Sequence, residues 1–114
     1  MAKVFGIHMI ALHPGVKAED FEKFVVEEMY PIFEVSSDMK VYLLRGDRGD
    51  REGRYLVMTE FSSVEARDQQ YPSPGELSAE IQQIFVTQAA MLEKWNSFAT
   101  PFNVIYTDYV EVGK

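Results

Sequence analysis

The chain has 114 residues, 46% hydrophobic, 25% charged and 13% aromatic, with a net charge of -7 and no cysteine. A single compact domain fits that length. The acidic balance argues against nucleic acid and anionic membrane surfaces, which need clustered Lys and Arg, and the lack of cysteine excludes disulfides, thiolate chemistry and Cys-type metal sites. No apolar run approaches the roughly 18 residues of a transmembrane helix, so a soluble, cytoplasmic protein is expected.

The first strand is expected over 4–13 (VFGIHMIALH). One parity carries Phe5, Ile7, Met9 and Ala11, the other Val4, Gly6, His8, Ile10 and Leu12. Neither parity is polar, so both faces of the strand are expected to be covered. Pro14-Gly15 ends it. A helix follows from about Ala18, with Glu19 and Asp20 in its first turn, where the macrodipole favours acids. Phe21, Phe24, Val25, Met29 and Ile32 form its apolar stripe, and Pro31 is expected to end or kink it.

A second strand is expected over 39–45 (MKVYLLR) and a third over 54–61 (RYLVMTEF), joined by a glycine-rich charged hairpin loop. Ser62-Ser63-Val64-Glu65 matches a capping box opening a short helix through Tyr71, and Pro72 and Pro74-Gly75 interrupt it. A long helix is expected from about Leu77 to Ala99, with Leu77, Ile81, Ile84, Phe85, Leu92 and Trp95 on one face, then a last strand over 102–112 (FNVIYTDYVEV).

The order β-α-β-β-α-β is that of an α+β, ferredoxin-like unit: a four-stranded antiparallel sheet with both helices on one face. The helices cover one face, so the other is expected to meet a second copy of the chain. Chemistry is sought where polar residues interrupt apolar faces. His8 shares its parity with Gly6, Ile10 and Leu12 and is the natural proton-transfer group; the alternative is a core histidine bonded to a backbone carbonyl or a buried acid. Glu28 falls on the stripe of the first helix at 100° per residue, where a carboxylate needs a partner. A Glu28–His8 acid–base couple is one reading, and a surface acid rotated to the rim by Pro31 is the other.

Gln88 falls on the line of Leu77, Ile81, Ile84, Leu92 and Trp95, placed to bond a ligand carbonyl or to cap nearby backbone. Trp95 offers an apolar wall with one N–H donor, or simple core packing. Tyr106 shares a parity with Val104 and Asp108 and reaches the same pocket if that parity faces the helices. Tyr30 sits opposite the stripe and is expected to meet solvent or a partner subunit. His13, at a strand end before Pro14, is expected to be exposed. The two histidines of the first strand bring no third ligand, so no metal site is expected.

Five segments carry a resemblance over essentially the whole chain: FGIHMIALHPGV, EDFEKFVVEEMYP, the GDRG hairpin, SSVEARDQQYP and NVIYTDYV. The sequence resembles the dimeric α/β-barrel superfamily, which includes cofactor-independent antibiotic-biosynthesis monooxygenases, haem-degrading monooxygenases, stress-responsive barrels and polyketide cyclases. The resemblance implies a homodimer with facing sheets and a pocket between sheet and helices in each subunit. The haem-degrading relatives ligate iron through a helical histidine, which this chain lacks, and the cyclases use a histidine after the third strand, which it also lacks; no cofactor is expected. Cofactor-free monooxygenases use Trp, Tyr and Asn or Arg, types represented by Trp95, Tyr106 and Asn103. The expectation is a homodimer binding a small hydrophobic or aromatic molecule. His8 and Glu28 would be catalytic, with Gln88, Trp95 and Tyr106 binding substrate in proton transfer or cofactor-independent oxidation. The alternative is a non-enzymatic ligand-binding or scaffold dimer.

Overall fold

The computed structural model describes residues 2–33, 38–74 and 76–113. The strands are β1 (Val4–Met9), β2 (Met39–Arg45), β3 (Tyr55–Phe61) and β4 (Tyr106–Val110). They form one antiparallel sheet in the order β2-β3-β1-β4. The register sets Val4, Gly6 and His8 beside Phe61, Thr59 and Val57 of β3, and beside Val110, Asp108 and Tyr106 of β4.

The sheet is ferredoxin-like, with its helices on one face. Val4, Gly6, Met39, Val41, Tyr55, Val57, Thr59 and Phe61 are buried under them. On the opposite face, Phe5, Ile7, Met9, Leu56 and Met58 stay half-buried. The two apolar parities of β1 thus belong to two different surfaces.

The first helical stretch runs as α1 (Ala18–Phe24), a π-helical turn (Val25–Met29) and α2 (Tyr30–Phe33). Pro31 therefore neither ends the helix nor stands in an unbroken α-helix. The turn before it slips to i→i+5 bonding, with the Tyr30 N–H on the Val25 carbonyl, and Pro31 has no N–H to offer. The slip also carries the buried stripe along Val25, Met29 and Phe33, and Glu28 falls outside it.

Two further boundaries differ from the sequence reading. Ser63, not Ser62, caps α3 (Val64–Gln70), its hydroxyl accepting from the Ala66 N–H at 3.1 Å. Ser62 instead donates to Asp38 at 2.9 Å. The long second helix is two helices, α4 (Ala79–Thr87) and α5 (Ala89–Phe98), broken at Gln88 with φ -111° and ψ 32°. Thr87 donates its hydroxyl to the Gln83 carbonyl at 2.8 Å, a side-chain bond that competes with the backbone ladder at the break.

The strand ends are shorter than expected as well. β1 stops at Met9, although Leu12 still bridges to Ala99. β4 begins only at Tyr106, although the Ile105 carbonyl still accepts the Met9 N–H at 2.9 Å, and further upstream the Phe102 carbonyl faces His8.

Candidate functional site

The core between helices and sheet is aromatic. Trp95 is 1% exposed, packs edge-on against Phe21 and Phe102 at centroid separations of 5.3 and 5.4 Å, and donates its indole N–H to the Thr100 carbonyl at 2.9 Å. Tyr30 is half-buried, and its hydroxyl accepts the N–H of Leu43 on the edge strand β2 at 2.7 Å. Tyr55 donates to Glu22, which also pairs with Arg45 at 2.7 Å.

Toward β4 this packing opens into a cavity of about 700 Å³. Its floor is His8 and Thr59, its walls include Phe61, Leu77, Phe85, Phe102 and the Pro72–Pro74 turn, and Tyr71, Arg67, Asp108, Asn103 and Tyr106 bring polar groups to it. These residues come from β1, β3 and β4, from α3 and the connection after it, from α4, and from the segment between α5 and β4. Volume and composition suit a small aromatic molecule.

His8 is the imidazole bordering this cavity. Its Nδ1 lies 2.7 Å from the Phe102 carbonyl oxygen. A carbonyl only accepts, so Nδ1 carries the hydrogen, and in the neutral ring Nε2 is left with the lone pair. Burial holds the His8 pKa below the ordinary imidazole value, against the opposing pull of the Phe102 carbonyl and the Asp108 charge. Tyr106 stacks on the ring at 5.4 Å and 20°, and Phe102 meets it edge-on at 6.3 Å. The ring is thus fixed in tautomer and orientation, with a basic nitrogen left over.

Asp108 lies on β4 opposite Gly6, two residues along β1 from His8 and on the same face. A Cβ on Gly6 would lie 3.0 Å from Asp108 Oδ1 and 3.3 Å from His8 Nε2, so both atoms border the small space that glycine leaves open. The other Asp108 oxygen pairs with Arg67 at 2.7 Å, and Arg67 is also bonded to Asp68 at 2.8 Å. Tyr71 is pushed up to about 12 by burial and by the Asp108 charge, which keeps its phenol neutral.

Of the residues singled out from the sequence, His8 and Tyr106 border the cavity together. Trp95 is one ring behind it, touching Phe102. Gln88 is half-buried at the break between α4 and α5 and is not part of the lining. The expected buried position of Glu28 is corrected. Its side chain is 46% exposed and pairs with Lys94 at 2.6 Å, so no couple with His8 forms; the π turn moved it off the stripe. His13 places Nε2 2.8 Å from the Asn96 carbonyl.

Sequence reading missed Asp108, Arg67, Tyr71 and Thr59. Two signals were present: Asp108 interrupts the Tyr106 parity, and Gly6 marks a place where the strand needs room. Arg67 and Tyr71 had no such signal, because a short helix after a cap reads as surface.

Among the described residues, no cluster of His, Asp and Glu is placed to hold a metal ion, and no helix is long and apolar enough to cross a membrane. No family model and no curated protein matches the chain. Among solved structures it is similar to SnoaB, a cofactor-independent oxygenase from Streptomyces nogalater, with 14% identity, a TM-score of 0.53, and coverage of 100% of this chain and 95% of that one. It is also similar to a dimeric protein of unknown function and ferredoxin-like fold from Bacteroides fragilis, with 14% identity, a TM-score of 0.45, and coverage of 94% of each chain. At that identity the likeness to the oxygenase is one of fold: an antiparallel ferredoxin-like sheet carrying helices on one side.

Proposed function

We propose that the cavity binds a small aromatic molecule bearing an acidic hydroxyl, and that His8 Nε2 takes the proton of that hydroxyl. The single observation that carries this reading is the Phe102 carbonyl on Nδ1, which leaves Nε2 as the basic atom in an aromatic-walled cavity. Tyr106 and Phe102 orient the imidazole, and Thr59 and Asn103 supply polar contacts. Trp95 acts by holding Phe102 in place rather than by touching the ligand. Deprotonation is the first step of either proposed activity. In proton transfer the anion is reprotonated elsewhere. In cofactor-independent oxidation the electron-rich anion would itself supply the electrons to dioxygen, a reading prompted by the likeness in fold to a cofactor-independent oxygenase.

The reading is tested with a panel of phenols and naphthols. Binding with a naphtholate absorbance at neutral pH, lost in His8→Ala, is the expected result, and oxygen uptake would assign the oxidative branch. Binding with the same spectrum in both proteins would leave a ligand-binding protein without chemistry. No binding by any member of the panel would overturn the reading.

The working unit we propose is a homodimer in which the helix-free face of one sheet meets its copy. Phe5, Ile7, Met9, Leu56 and Met58 supply a self-complementary apolar surface for an interface of this kind. Ile7→Asp places a charge at its middle and is expected to convert a dimer to a monomer in light scattering, while His8→Ala, on the opposite face, leaves the mass unchanged. A wild-type monomer at micromolar concentration would overturn the assembly.

A further inference from the structure

We infer that Asp108 is a positioning residue for His8: held by Arg67 and admitted by the missing side chain of Gly6, it holds on His8 Nε2 the proton that the ligand gives up. The inference rests on the proposed role of His8 as the base. Three observations meet at one point. Gly6 is buried on the covered face, where a side chain would otherwise pack. The space it leaves is bordered by Asp108 Oδ1 at 3.0 Å and by His8 Nε2 at 3.3 Å from the position of an added Cβ. The second carboxylate oxygen is tied to Arg67 at 2.7 Å, which turns Oδ1 toward that space.

The proton balance is simple. The ligand O–H bond breaks, the Nε2–H bond forms, and the electron pair stays on the ligand oxygen. The imidazolium then donates from Nδ1 to the Phe102 carbonyl and presents Nε2–H beside an ionised carboxylate. Burial alone would expel that proton, so a base at this place needs a negative partner. Asp108 meets that need without taking the proton itself, and because it is absent from β1 and the first helix it could not be paired with His8 by reading along the chain.

The charged and titratable groups facing His8 come from two sides. β4 contributes Asp108 and Tyr106, and α3 with the residue after it contributes Arg67, Asp68 and Tyr71. The α4 side contributes Leu77 and Phe85, which are apolar. Arg67 has its charge divided between Asp68 and Asp108. That leaves Asp108 as the carboxylate with a free oxygen beside the ring.

The test follows the His8 ring by nitrogen-15 NMR in the ligand-free full chain, with His13 as internal control. Asp108→Asn keeps the shape and removes the charge. The expected result is a His8 titration midpoint about one pH unit lower, a tenfold loss of proton affinity, with His13 unmoved. Gly6→Ala is the second variant. Its backbone conformation is open to alanine, and its methyl wedges the two groups apart, so a fall in the same direction is expected.

A His8 midpoint unchanged in both folded variants overturns the inference. The result is separable from the proposed function because no ligand is present. A shifted midpoint with no naphthol binding sinks the function and leaves the His8–Asp108 coupling standing. Naphtholate formation that depends on His8 but not on Asp108 retains the base and discards its partner.

Discussion

The covered face of the sheet is filled in two ways, and the contrast lies between its β2–β3 half and its β1–β4 half. Over β2 and β3, Phe21, Phe24 and Trp95 close on Met39, Val41, Tyr55 and Val57, all buried. Polar atoms there are tied off locally, Tyr30 by the Leu43 N–H and Tyr55 by Glu22. Over β1, β4 and the Thr59–Phe61 end of β3 the same layer holds a cavity, and all five residues of β4 are exposed. The reason is reach. α3 is a single seven-residue helix that ends before Pro72, too short to roof both strands. Aromatic rings that would be core under a longer helix become cavity walls, so aromatic content by itself does not tell a core from a binding site.

The strongest way to break this contrast is to delete a ring from each half. Trp95→Ala removes a fully buried side chain and should cost about 3–5 kcal/mol in urea denaturation. Phe85→Ala removes a half-buried wall of a space that is already open, and should cost less than half as much. Equal losses would mean that the cavity half is as tightly packed as the other.

A smaller effect sharpens the cavity side. The folded Tyr71 phenol titrates near 12 and the unfolded one near its ordinary value of 10.0. Between those values the unfolded chain has released a proton that the folded chain keeps. The stability is therefore complete below pH 10 and falls as pH rises toward 12, by roughly 2–3 kcal/mol. Tyr71→Phe has no such proton and should flatten that alkaline slope in denaturation curves measured from pH 9 upward. An unchanged slope would place Tyr71 in water rather than in the buried wall.

The smallest effect concerns a residue the structure moved out of both halves. Glu28 and Lys94 form an exposed pair, with side chains 46% and 48% accessible. Replacing either by Ala should change stability by no more than about 0.5–1 kcal/mol. Glu28→Gln should likewise leave the His8 NMR midpoint where it is. A shift there would return Glu28 to the neighbourhood of the imidazole.

Much of the fold was legible because it rests on local patterns. The bounds of β2 are those the sequence suggests, and β3 differs by one residue, since both are apolar runs closed by turn residues. The departures have local causes that compete closely in energy. Ser62 and Ser63 are chemically equivalent caps, and the structure uses Ser63 on the Ala66 N–H while Ser62 bonds Asp38. The break at Gln88 is accompanied by a threonine hydroxyl bonding backwards, a contact no periodicity reveals. The candidate site was half legible. His8 and Tyr106 stood out as polar interruptions of apolar parities, and their pairing across β1 and β4 needed only the sheet order. Arg67 and Asp108 are 41 residues apart and meet only because α3 crosses toward the edge strand.

What the sequence determined by itself was the alternation of elements and the double apolar parity of β1, because side-chain period is a local property of the backbone. It also determined that a histidine would sit among apolar neighbours. The tertiary structure decided which atom of that histidine is basic, by delivering the Phe102 carbonyl from 94 residues away. It decided as well that Glu28 would be a surface acid and that Asp108 would border the cavity. A helix that slips by one hydrogen bond turns its side chains to new partners, and a carboxylate finds an imidazole only through the register of two strands from opposite ends of the chain.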